Sequence, residues 1–193
     1  MIQYVVINLI NSLCHRGVFM KSLIEYISHR DIRLLKFINN SWKCGLLDFI
    51  MPIMTYLGSF TFIFIFCTAA FLLSDAVFHT MAVKAMISVT VSTGVGKILK
   101  ISVTRLRPFI HIPNLNIKKI GIDLYSFPSG HTTAAFSLAV MIALYFPIFG
   151  FITIPLALCV GISRMYHGVH YPTDVIMGIF IGTTISLITY TFF

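Results

Sequence analysis

From Leu46 onward, continuous apolar stretches alternate with short polar breaks. Five of these stretches read as membrane-crossing helices. The first runs from Leu57 to Leu73 and is entered through the apolar Leu46 to Tyr56. The second runs from Thr80 to Leu99 and the third from Ser129 to Phe146. Pro147 and Gly150 turn the chain into the fourth, which ends near Ser163, and the fifth runs from Thr173 to Phe193. A crossing helix needs about 20 mostly apolar residues. The runs are continuous rather than alternating, which argues against membrane strands.

The segment before Leu46 is patterned differently. Ile2 to Leu13 is apolar but is ended by His15 and Arg16, so it makes only a weak first span even when extended to Phe19. Between Ser22 and Asn40, Leu23, Ile24, Ile27, Ile32, Leu34, Leu35 and Ile38 recur among Lys, Arg and Asn. That pattern predicts one or two amphipathic helices lying in the bilayer interface, with Trp42 at headgroup level. The expected fold is an all-α polytopic transmembrane helix bundle of five to six spans with N-terminal interfacial amphipathic helices. Residues 1–45 form the N-terminal part and 46–193 the core.

Composition supports a membrane protein: 58% of the 193 residues are hydrophobic and 10% charged, against about a quarter charged in soluble domains. The formal charge is +8. Its basic residues flank apolar spans or sit in polar islands, which argues against nucleic acid as a partner. Anionic headgroups, topology-setting loops and an anionic substrate remain. Cys14, Cys44, Cys67 and Cys159 are widely spaced with no clustered His, so no metal site is expected and they read as small apolar residues. Met1 to Leu13 lacks a basic start and a small-residue cleavage site, so no cleavable signal is expected.

Three polar islands carry the candidate chemistry: Lys100 to Pro108, Pro128 to His131, and Ser163–Arg164 with His170 and Asp174. Ionisable groups within membrane segments are costly and are functional by default. Helix parity places the islands together, because the first ends span two, the second begins span three, and two further crossings return the chain to the same face. Lys100, Thr104 and Arg107 fall at i, i+4 and i+7, so one helical face would hold them, with Pro108 ending the helix. Arg107 offers a planar fork for two phosphate oxygens and Lys100 a point charge. A basic juxtamembrane flank is the competing reading of this island, and Lys97 and Arg105 fit it. Pro128 suits a first helical turn and Ser129 or Gly130 a cap. The N–H groups of Ser129, Gly130 and His131 would then face an anion, with His131 beside it as a proton donor. The competing reading is an ordinary capped helix. His170 and Asp174 are four apart, within reach on a helix, so the carboxylate can hold one imidazole nitrogen protonated while the other attacks. Arg164 adds a cation, or forms a structural ion pair with Asp174. His167 reads as a loop or substrate contact.

The islands resemble the three-part signature of the type 2 phosphatidic acid phosphatase and vanadium haloperoxidase superfamily: K-x6-R-P, P-S-G-H, and S-R-x5-H-x3-D. Every defined position matches, and the resemblance covers Leu46 to Phe193. It implies a metal-independent phosphatase without cofactor. His170 would be the nucleophile, forming a phosphohistidine; Asp174 would orient it, and His131 would protonate the leaving group. Lys100, Arg107 and Arg164, with the Ser129 hydroxyl and Gly130 N–H, would cradle the phosphoryl oxygens. The vanadate-dependent oxidases are soluble and much longer, which sets that branch aside.

The resemblance further implies a phosphorylated membrane lipid as partner and a site on the extracytoplasmic face of a bacterial plasma membrane. The chain is similar to undecaprenyl diphosphate phosphatases and to phosphatidylglycerophosphate phosphatases. A phospholipid phosphatase acting on phosphatidylglycerophosphate or phosphatidate, and a lipid phosphotransferase, are the alternatives. A non-catalytic transporter or lipid-binding protein is disfavoured by the complete motif set. If the N-terminus lies on the catalytic side, Arg16, Lys21, Arg30, Arg33, Lys36 and Lys43 fall there, with Lys84 opposite. The positive-inside rule alone would therefore turn that side inward.

Overall fold

The computed structural model describes residues 21–22, 24–72, 75–118 and 123–193. The weak first span expected before Phe19 lies outside the described residues. Residues 24–36 are helical (α1) and run into a π-helical turn at Phe37–Ser41. There follow α2 (Gly45–Leu57), α3 (Phe60–Leu72), α4 (Ala76–Val103), the short α5 (Pro108–His111), α6 (Gly130–Tyr145), α7 (Pro147–Tyr166) and α8 (Pro172–Phe192). One isolated bridge, Leu106 to Tyr125, is the sole β pairing among the described residues.

Helices α4, α7 and α8 are each long and apolar enough to cross a bilayer, and α2 with α3 pass that test together, bent by 59°. Helix α6 has 16 residues, about 24 Å at 1.5 Å per residue. It is the central element, buried without interruption from Thr132 to Ile142. Leu46, Phe64, Phe151 and Phe180 are exposed on the outer helices, as expected where lipid is the solvent.

Small residues draw α8 onto α6. A Cβ on Gly182 would lie 2.5 Å from the Thr133 carbonyl oxygen, and one on Gly178 would lie 2.9 Å from that of Ser129. Glycines four apart permit close backbone approach between membrane helices, where packing and hydrogen bonds drive association. Serines add those bonds: Ser92 Oγ meets Ser137 Oγ at 2.8 Å, Ser88 Oγ meets Ser186 Oγ at 2.7 Å, and Ser186 Oγ donates to the Ser137 carbonyl at 2.8 Å. This packing sets the register of the α8 N-terminus against the α6 N-terminus.

The bend between α2 and α3 serves the same end of the bundle. At Gly58 a Cβ would sit 2.5 Å from Val160 Cγ1 and 2.9 Å from the His131 carbonyl oxygen. Helix α1 and the π-helical turn after it have two apolar faces. Leu35 and Ile38 enter a core with Met51, Ile112, Tyr166 and Val175, whereas Ile24, Leu34 and Phe37 are exposed. Helix α1 and the π-helical turn are thus fastened over the α7 and α8 ends that carry the third island.

Candidate active site

The first island is not one helical face. Helix α4 stops at Val103, and Thr104 takes the left-handed conformation (φ 49°) while its N–H caps the Lys100 carbonyl. The chain then runs extended, with Leu106 bridged to Tyr125 and the Ser126 N–H donating to the Arg105 carbonyl at 2.8 Å. Arg107 precedes α5, with Pro108 at its first position. It is nonetheless brought to Lys100 through Asp123: Lys100 Nζ donates to Asp123 Oδ2 at 2.6 Å and Arg107 Nη2 to Asp123 Oδ1 at 2.5 Å. Arg107 is 1% exposed, and its Nε donates to the Asp123 carbonyl at 2.6 Å and its Nη1 to the Val169 carbonyl at 2.9 Å. Burial pushes the Asp123 carboxyl up, but Lys100 and Arg107 together hold it below its ordinary value.

The third island folds back on the end of α7. The His167, Gly168 and Val169 N–H groups donate to the Ser163, Met165 and Arg164 carbonyls. Gly168 is in the left-handed region (φ +66°), and a Cβ there would meet Asn39 Nδ2 at 3.3 Å, so position 168 calls for glycine on both counts. Asn39 is fully buried. Its Nδ2 donates to the Tyr166 carbonyl at 2.7 Å and to the Asn116 carbonyl at 2.9 Å, and its Oδ1 accepts the Asn116 N–H at 2.8 Å.

His170 lies in this turn, ahead of α8, rather than on a shared helix with Asp174. The side chains still approach: His170 Nδ1 is 3.5 Å from Asp174 Oδ2. Arg107 Nη1 lies 3.2 Å from His170 Nε2. A guanidinium has no acceptor, so the Nε2 lone pair faces it and the ring proton sits on Nδ1, toward the carboxylate. His170 is 1% exposed. Burial first, and then the Arg164, Arg107 and Lys100 charges, push its imidazole well below its ordinary range. At neutral pH it is therefore an uncharged base with its lone pair among cations. Asp174 is fully buried; its Oδ2 accepts the Tyr171 N–H at 2.8 Å and its Oδ1 accepts from Arg105 Nη1 at 2.8 Å.

In the second island Ser129 is the cap, helix α6 begins at Gly130, and Pro128 falls outside the helix rather than in its first turn. The Ser129 N–H donates to the Asp174 carbonyl at 3.0 Å. It is therefore spent on joining α6 to α8, and does not face an anion. Its hydroxyl, fully buried, pairs with Thr132 Oγ1 at 2.8 Å. Gly130 and His131 line a cavity of about 340 Å³ with Lys100, Asp123, Gly96 and Phe60. Arg164 is fully buried near the end of α7.

Sequence reasoning gave Asp123 no role and assigned Arg105 to a basic flank; it overlooked Asp31 and Asn39. Arg105 is an ion-pair centre, joined to Asp31 and Asp174. A signal existed for Asp31: it falls at i with Leu35 and Ile38 at i+4 and i+7, an acid on the apolar stripe of an amphipathic helix.

Fold and site together define an integral membrane helix bundle with a histidine, a carboxylate and a group of cations gathered at one end. The sequence pattern of the PAP2 superfamily matches residues 81–193, and the chain belongs to that superfamily. It is 38% identical over 111 residues to the bacitracin transport permease protein BcrC of Bacillus licheniformis, covering 57% of this chain and 54% of that protein. The chain thus spans about half the length of that relative. It is 30% identical over 164 residues to an undecaprenyl-diphosphatase of Sulfolobus acidocaldarius, covering 82% of this chain and 76% of that protein. Among solved structures, LpxE of Aquifex aeolicus superposes with a TM-score of 0.76 at 27% identity, covering 84% of this chain and 95% of that one.

Proposed function

We propose that the chain is a metal-independent lipid phosphatase that works through a phosphohistidine and takes a polyprenyl diphosphate as substrate. The observation that carries this reading is the orientation of His170, with Nε2 turned to the Arg107 guanidinium and Nδ1 turned to Asp174. In the reaction His170 Nε2 attacks the terminal phosphorus and the bond to the bridging oxygen breaks. His131, which takes up a proton as the anionic phosphate enters beside it, gives that proton to the leaving oxygen. Asp174 stabilises the charge that develops on the imidazole ring. Lys100, Arg107 and Arg164, with the Gly130 N–H, hold the three equatorial oxygens, where preorganised positive charge favours the transition state. Water, deprotonated by His131, then attacks the phosphohistidine. The P–N bond breaks, inorganic phosphate leaves and His170 is restored. The Ser129 hydroxyl joins this cradle by turning from Thr132.

The polyprenyl assignment rests on the Sulfolobus relative and on the cavity beside His131, whose walls pass from Lys100 and Asp123 to Phe60, Gly96 and Ala134. The site end would face away from the cytoplasm. Purified protein in excess EDTA is expected to release phosphate from undecaprenyl diphosphate faster than from phosphatidylglycerophosphate, and His170→Ala to release none. Release that stops in EDTA, or persists in His170→Ala, would overturn the mechanism; a reversed lipid preference would overturn the substrate.

A further inference from the structure

Asp31 lies far from the signature islands, on the N-terminal amphipathic helix. Its charged neighbours Arg30, Arg33 and Lys36 are exposed, whereas Asp31 is 3% exposed. A buried carboxylate is costly unless paired and hydrogen-bonded. Asp31 is both. Its Oδ2 accepts from Arg105 Nη2 at 2.7 Å and from Thr173 Oγ1 at 2.5 Å, and its Oδ1 accepts the Thr173 N–H at 3.0 Å. Thr173 is in the first turn of α8, one residue before Asp174.

Arg105 passes the connection on. While Nη2 holds Asp31, Nη1 donates to Asp174 Oδ1 at 2.8 Å and to Thr173 Oγ1 at 2.7 Å. Its guanidinium lies over the Tyr171 ring, 3.9 Å from the centroid. With Oδ1 of Asp174 thus engaged, Oδ2 is the oxygen left beside His170 Nδ1. We propose that Asp31 is a positioning residue of the reaction: through Arg105 it fixes the carboxylate of Asp174 against His170, so that α1 forms part of the catalytic apparatus. The inference rests on the reading of His170 as nucleophile.

Charge counting shows why an acid is needed at position 31. Asp31, Arg105 and Asp174 sum to one negative charge beside His170. Facing the imidazole from the other elements are the cations Lys100, Arg107 and Arg164, the first two paired with Asp123, and the His131 ring. Without Asp31, Arg105 would neutralise Asp174, and the remaining carboxylate of the site, Asp123, is already engaged by Lys100 and Arg107. Asp31 therefore keeps His170 basic enough to attack, and through the Thr173 N–H it also anchors the helix end on which Asp174 sits.

Asp31→Asn keeps the shape and the acceptor for the Thr173 N–H while deleting the charge and the Oδ2 acceptor. In the full-length detergent-purified protein, kcat is expected to fall about tenfold, which corresponds to about one pKa unit, with KM changed less than about twofold. The acid limb of kcat/KM reports the free enzyme's base. It is expected to lie below the ordinary imidazole range, since burial and the neighbouring cations depress His170, and to move lower still in Asp31→Asn. Asp31→Glu is expected to recover part of kcat. Wild-type kcat with an unmoved acid limb in Asp31→Asn would overturn the proposal. So would an activity loss matched by a smaller folded fraction with the limb unmoved, since an ion pair that only stabilises the fold behaves that way. Nitrogen NMR titration of His170 separates this from the phosphatase reading. If the wild type releases no phosphate from any lipid, a lower His170 titration in Asp31→Asn still supports the positioning role, and an identical titration overturns it.

Discussion

Arg107 and Lys100 each hold one oxygen of Asp123, the way two cations would hold two oxygens of a phosphoryl group. In the proposed cradle, substrate would have to displace a carboxylate that is itself more than half exposed at its side chain. The pairing keeps a buried guanidinium satisfied in the empty site, and it competes with the ligand. Asp123→Asn is expected to lower KM for the lipid, and to lower the inhibition constant of inorganic phosphate, by several-fold, with kcat nearly unchanged. A raised KM would show instead that Asp123 is needed to hold the two cations in place. Residues of this kind were only partly legible in the sequence. Lys100, Arg107, His170 and Asp174 stand out because ionisable groups are scarce in an apolar chain. Asp123 and Asp31 become meaningful only through partners distant in sequence. The spacing argument for Lys100 and Arg107 assumed a continuous helix, and the left-handed turn at Thr104 breaks it.

At the scale of elements, apolar runs fixed where α3, α4, α6, α7 and α8 lie, because continuous burial or lipid contact needs continuous apolarity. The ends were harder to read. Helix α4 extends to Val103 and α7 to Tyr166, beyond the apolar stretches, since polar residues facing the site do not interrupt a helix held by its neighbours. The α6–α8 contact was also illegible, as a glycine pair in an apolar run does not say which helix it meets. That contact sets the Ser129 N–H on the Asp174 carbonyl. Gly178→Ala, whose Cβ would lie 2.9 Å from the Ser129 carbonyl oxygen, is expected to cost about 1–3 kcal/mol from overpacking, read as a lower melting temperature. Because Gly178 lies near the catalytic end, activity should fall further than the folded fraction. Activity that tracks the folded fraction would show that the α6–α8 spacing does not govern the site.

Among the described residues of the whole molecule, one basic end stands opposite one nearly uncharged end. Lys43, Lys97, Lys100, Arg105, Arg107 and Lys118 lie toward the site, whereas Lys84, beside the Tyr190 carbonyl, lies far from it. Counted by the positive-inside rule, the site would face the cytoplasm. In the proposed function the cations of the site would serve a ligand, and those of α1 suit anionic headgroups, so the proposed orientation is the opposite one. A cysteine at exposed Leu124, introduced with the native cysteines replaced by serine, is expected to react with a membrane-impermeant maleimide in intact cells. A cysteine at exposed Asp75, at the other end of α4, should be protected until the cells are opened. The reverse pattern would place the site inside.

The central claim is that phosphate passes through His170, and trapping that bond tests it most directly. Wild-type protein mixed with radiolabelled lipid diphosphate and quenched in alkali should carry a base-stable, acid-labile label. The label should be absent from His170→Ala; in His131→Ala, which lacks both the acid of the first step and the base of the second, it should form more slowly and, once formed, persist longer than in the wild type. Full turnover by wild-type protein with no trapped label, or an undiminished label on His170→Ala, would contradict the account.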